Sequence, residues 1–62
     1  MRLKPGDLFT YVSCGTWMLL VTSVTGDDAR IMLFQTQPYK LYGHEYLRGV
    51  TLSSVLTSGW IQ

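Results

Sequence analysis

The longest run of apolar and β-branched residues, Thr16 to Val24 (Thr-Trp-Met-Leu-Leu-Val-Thr-Ser-Val), constrains the fold more than any other stretch of the chain. It falls short of the roughly 20 apolar residues that a membrane-crossing helix needs. It also lacks the spacing of an amphipathic helix. The run therefore reads as the central strand of a small β-barrel. With 62 residues the chain has room for one domain, residues 1–62, and one core. A domain this small buries only about 60% of the surface its unfolded chain exposes. Apolar residues make up 47% of the chain and charged residues 15%, a balance that suits packing and excludes disorder. A small barrel cannot hold all of these apolar side chains inside. Some must lie outside, where a contiguous patch marks an interface, and association is one way in which small domains gain stability.

A formal net charge of +1 gives no general attraction to nucleic acid or to an anionic membrane. Binding of either kind would need a local patch. Cys14 is the single cysteine, so no internal disulfide forms, and one Cys with one His cannot build a four-ligand zinc site. No metal and no cofactor is expected. The amino-terminal Met-Arg-Leu-Lys-Pro-Gly-Asp is interrupted by Pro5 and Gly6 before an apolar signal region develops, and a reducing, cytoplasmic setting is expected.

In chain order, Leu3-Lys4-Pro5-Gly6-Asp7 reads as a turn, since Pro5 fixes its own φ and Gly6 tolerates positive φ. The strand Leu8 to Val12 follows, with Phe9 and Tyr11 on one face and Leu8, Thr10 and Val12 on the other. Ser13-Cys14-Gly15 breaks the run. Cys14 has no base or cation nearby in sequence, and a small turn residue is the expected role rather than a nucleophile. The central strand ends at Thr25-Gly26-Asp27-Asp28, a polar hairpin loop, and Ala29 to Gln35 returns as its partner. Asp27 and Asp28 are expected to serve solvation and local backbone bonds.

A four-residue loop pairs Val24 with Ala29, Thr22 with Ile31 and Leu20 with Leu33. One face then carries Met18, Leu20, Val24, Ala29, Ile31 and Leu33; the other carries Trp17, Leu19, Val21, Met32 and Phe34. Both faces are apolar, so both call for cover. Barrel curvature could wrap one long strand across two sheets. The sharper expectation is an interface on Trp17, Leu19, Val21, Met32 and Phe34, since aromatic and Met side chains are enriched at interface centres.

Thr36 to Gly43 reads as a connection broken by Pro38 and Gly43. Tyr39, Lys40, Tyr42, Tyr46 and Arg48 interleave aromatic and basic side chains, the pattern of a single-stranded RNA or DNA surface in which rings stack on bases and cations meet phosphates. The plainer reading is a strand with half-buried tyrosines. His44 and Glu45 are adjacent and point apart on a strand, so they do not form an acid and base pair. Val50 to Thr57 reads as another short strand or, the favoured reading, as a strand running into a single helical turn opened by Ser53 or Ser54, and Trp60-Ile61 as a closing strand that pairs near the amino terminus.

These elements make an all-β plan, a small five-stranded SH3-like barrel with a short helical turn before the last strand. The opening Leu3-Lys4-Pro5-Gly6-Asp7-Leu8-Phe9, then Ser13-Cys14-Gly15 and an apolar strand from Trp17-Met18, resembles the start of short bacterial and phage barrel proteins of the KOW and YodC-like type. The resemblance covers the first 35 residues. It implies that Phe9, Tyr11, Met18, Leu20, Ile31 and Leu33 point inward, and it implies small adaptor or nucleic-acid-associated proteins without catalytic residues. One His, one Cys and four acids supply neither a catalytic constellation nor a metal site, so an enzyme is not expected. The leading expectation is a non-catalytic interaction module that contacts another copy of itself or a protein partner, for example as a phage or viral accessory protein binding a host factor. The alternative is a single-stranded nucleic-acid binder using the Tyr39 to Arg48 segment. No membrane partner is expected.

Overall fold

The computed structural model describes residues 2–62. Five strands and one helix follow in the order β1 (Leu8–Tyr11), β2 (Cys14–Thr25), β3 (Asp28–Thr36), β4 (Tyr39–Leu47), α1 (Leu52–Thr57) and β5 (Trp60–Ile61). They build one antiparallel sheet with the strand order β4-β3-β2-β1-β5. The protein is thus mostly β, with a single short helix among the described residues. No ladder joins β4 to β5 among these residues.

Local chemistry explains most of the boundaries. Thr25 pairs with Asp28 across the two-residue turn Gly26-Asp27. Gly26 sits at φ +60°, the first-position glycine of a II′ hairpin turn, whose twist matches the strands it joins. The turn before β1 is tied by Asp7, whose carboxylate accepts the Lys4 N–H at 3.0 Å while its own N–H donates to the Lys4 carbonyl at 3.1 Å. Helix α1 begins one to two residues before the expected serines. Thr51 is its N-cap and forms a reciprocal capping box with Ser54, at 3.1 Å and 3.0 Å. Leu52 and Val55, three apart, then share the buried face of the helix.

The register of the central hairpin departs from the simple expectation. Val24 pairs with Ala29 as expected, but beyond Ser23 the pairing becomes Val21 with Ile31, Leu20 with Met32, Leu19 with Leu33 and Met18 with Phe34. Thr22 is an extra residue, a β-bulge, and its hydroxyl donates to the Arg30 carbonyl at 3.1 Å. Next to it the Val21 backbone turns outward from the hairpin. Its N–H donates to Asp7 O at 2.9 Å, and its carbonyl accepts from Gly6 N–H at 2.8 Å. A shift of one residue exchanges the two faces of a strand.

The expected outer face is corrected accordingly. Leu19 and Val21 are 5% and 1% exposed and belong to the core with Leu3, Phe9, Ala29, Ile31, Leu52 and Val55. Met18 and Leu20, which the resemblance placed inside, instead share the opposite side of the sheet with Met32 and Phe34. Helix α1 and the amino-terminal segment cover the core side; we call the other the open side.

A second correction concerns Thr36 to Gly43. The connection is only the turn Gln37-Pro38, and β4 already begins at Tyr39. β4 carries its own bulge, because Leu33 pairs with Gly43 while Phe34 pairs with Leu41. Gly43 stands at φ +138°, a conformation that residues with a Cβ rarely adopt. Leu41 therefore faces the open side, and Tyr42 joins the helix side.

Candidate functional site: an open apolar sheet face and an aromatic groove

Two surfaces stand out, one on each side of the sheet. On the open side, cross-strand pairing aligns side chains in rows. One row runs through Ile61, Thr10, Met18, Phe34 and Leu41 across all five strands. The next runs through Leu8, Leu20, Met32 and His44. Together they form a contiguous apolar surface. Leu8, Leu41 and Ile61 are 43%, 45% and 51% exposed, and Met18, Leu20, Met32 and Phe34 are half-buried. Nothing in the chain covers this side among the described residues.

The other surface lies on the helix side, at the end of the sheet beyond the helix. Tyr11 and Trp60, paired across β1 and β5, place their rings 5.0 Å apart at 60°. Trp17 projects from β2, where Gly15, Thr16 and Trp17 have no partner on β1 because Thr10 pairs with Met18 and Tyr11 with Cys14. Tyr42 stacks on Trp17 at 4.5 Å, donates its hydroxyl to Gln35 Oε1 at 2.9 Å, and carries the Lys40 ammonium 5.1 Å from its ring centre. Between Trp17 and the Tyr11–Trp60 pair lies a groove of about 300 Å³, lined by Tyr11, Cys14, Trp17, Leu33 and Trp60. Its surface is almost wholly apolar. At its rim, a hydrogen bond from the Thr16 hydroxyl, followed by backbone bonds from Thr16 and Trp17, lowers the Cys14 thiol below its ordinary value.

The structure separates the five residues of the expected nucleic-acid segment. Tyr39 lies on the open side near Phe34, with ring centres 6.4 Å apart. Lys40 and Tyr42 belong to the Trp17 stack on the helix side. Tyr46 returns to the open side at the far end of β4, where its hydroxyl donates to Asp28 Oδ2 at 2.8 Å and Arg30 lies 5.8 Å from its ring centre. Arg48 follows the end of β4. These side chains do not share one platform. The Tyr46 end serves as a latch, since Asp28 Oδ1 accepts the Gly49 N–H at 3.1 Å and the Asp27 carbonyl accepts the Val50 N–H at 2.8 Å, holding the crossover to the helix. The Gly49 N–H foremost, with the Tyr46 hydroxyl and the nearby Arg48 charge, lowers the Asp28 carboxyl below its usual value. The same carboxylate raises the Tyr46 phenol.

Of the five expected interface residues, Trp17 borders the groove, Leu19 and Val21 fill the core, and Met32 and Phe34 lie on the open side. Sequence reasoning missed Leu8, Met18, Leu20, Leu41 and Ile61 as their neighbours. It also missed Tyr11 and Trp60 as groove walls, although the expected pairing of Trp60-Ile61 with the amino-terminal strand held the clue. No helix of the described residues is long and apolar enough to cross a membrane. Among the same residues no group of three His, Cys, Asp or Glu side chains is placed to hold a metal ion. No family model matches the chain, and no curated protein or solved structure was found to match it.

Proposed function

We propose that this chain is a non-catalytic protein-interaction module that associates with a second copy of itself through the open side of its sheet. The observation that carries the reading is the uncovered apolar surface of Leu8, Met18, Leu20, Met32, Phe34 and Leu41. Two such faces would pack sheet to sheet, about 10 Å apart, with their side chains interdigitating. A two-fold arrangement needs only that one patch complement itself. The exposed free thiol of Cys14 suits a reducing, cytoplasmic setting. The strand order, the helix before β5 and the bends at the bulges support a small SH3-like barrel plan.

Sedimentation equilibrium on the wild type and on Leu20→Asp tests the reading. The wild type is expected at twice the 7.0 kDa chain mass, and the variant at the single mass with an unchanged circular dichroism spectrum. A wild type that stays at the single mass up to its solubility limit rejects self-association.

A further inference from the structure

The aromatic groove on the helix side is separate from the open side and is left unused by the association proposed above. Three of its five lining residues are aromatic, and a fourth ring, Tyr42, backs Trp17. None of the five lining residues is cationic. Aromatic faces are electron-rich and attract cations, most strongly those of tryptophan. The ring row already holds one cation at its outer end. With 4.5 Å between the Trp17 and Tyr42 centroids there is no room for an ammonium between them, so Lys40 rests on the far face of Tyr42. The Trp17 indole lines the groove as well as stacking on Tyr42.

The near absence of polar surface narrows the occupant further. A primary ammonium or the edge of a nucleobase brings N–H donors that such a surface cannot satisfy. A quaternary ammonium has no N–H at all, and its charge is spread over methyl groups that pack against rings. A volume of about 300 Å³ accommodates a trimethylammonium group and a short stem, at the small end of ligand pockets. We propose that the groove between Trp17 and the Tyr11–Trp60 pair binds the trimethylammonium group of a small molecule of choline size.

The probe is choline, read by the indole N–H signals of the two tryptophans in ¹⁵N NMR spectra, with sodium chloride holding ionic strength constant. The comparison ligand is 3,3-dimethylbutan-1-ol, which has the shape of choline without the charge. Saturable movement of the Trp17 and Trp60 signals by choline, with the neutral isostere at least about fivefold weaker, is the expected result. Trp17→Leu keeps the groove apolar and should lose the Trp60 response to choline while the remaining backbone signals stay in place. Equal binding of the isostere would overturn the proposal by making the groove a plain apolar slot. So would the absence of any shift at ~100 mM choline, since that ceiling already admits affinities weaker than millimolar. Leu20→Asp, which addresses only the open side, should leave the choline response unchanged, so that failure of one reading does not carry the other with it.

Discussion

Truncating two neighbours, Leu19→Ala and Leu20→Ala, tests the register of β2 directly, because the two side chains are chemically identical and point to opposite sides of the sheet. Leu19 is 5% exposed and lies between Phe9 on β1 and Leu33 on β3, in the layer that α1 covers. Removing it leaves a cavity that the surrounding strands cannot close, at about 2–5 kcal/mol. At about 0.05–0.15 kcal/mol per residue, 62 residues have about 3–9 kcal/mol of stability in all, so about a fifth or more is lost. With about 4–8 °C of Tm per kcal/mol in a domain this size, a loss of about 3 kcal/mol lowers Tm by roughly 12–24 °C. Leu20 is half-buried and faces solvent in the single copy. Its truncation should cost about 1 kcal/mol, the transfer value of part of three methylene-sized groups. Urea unfolding followed by circular dichroism at low micromolar protein measures both, with m checked for constancy. Raising the protein concentration should enlarge the cost of Leu20→Ala by mass action and leave that of Leu19→Ala alone. Equal costs at low concentration, or a larger one for Leu20→Ala, would falsify the bulged register, because the straight register buries Leu20 and exposes Leu19.

Two further measurements address the ends of the sheet. The folded-state pKa of Asp28 is depressed, so the stability contributed by its carboxylate is fully present above the unfolded value of about 3.9 and is lost as pH falls through the lower folded value. Wild-type Tm should therefore fall more steeply below about pH 4 than that of Asp28→Asn, and parallel acid profiles would remove Asp28 as the latch on Gly49. Thr51→Ala deletes the hydroxyl half of the capping box and should cost about 1 kcal/mol by urea unfolding, with Thr51→Ser restoring most of it.

Elements whose signals are local were legible in the sequence. The polar hairpin loop was legible at Thr25 to Asp28, although Thr25 and Asp28 themselves pair and leave a two-residue turn at Gly26-Asp27, and the expected pairing of Val24 with Ala29 holds. The alternation of β1 holds as read, with Phe9 buried and Leu8 exposed. The faces of β2 were not legible by alternation alone, because its phase breaks at Thr22, and the partners that hold the break are distant in sequence. They are the Gly6 and Asp7 backbone and the Arg30 carbonyl. One trace of the break does exist in the chain. Val21 and Val24 are three apart, yet both belong to the helix side, and the two polar residues between them, Thr22 and Ser23, stand where strict alternation allows one.

The same reasoning accounts for where the two candidate surfaces sit. A strand that alternated without interruption would carry one side chain series past the helix and continue it unchanged to the sheet's end. In β2 the bulge at Thr22 sets Leu19 and Val21 into the core, and the unpaired stretch Gly15 to Trp17 frees the strand's beginning from β1. The bulge beside Gly43 then brings Tyr42 round to meet Trp17. The groove is thus built from interruptions of the ladder, which composition and periodicity do not encode. The open side is built from its regular part, where Leu8, Leu20 and Met32 stay in register across three strands. An association surface that depends on regular pairing should tolerate conservative apolar exchange among its members, whereas the groove depends on irregular backbone at three separate places and on aromatic rings that no aliphatic side chain replaces.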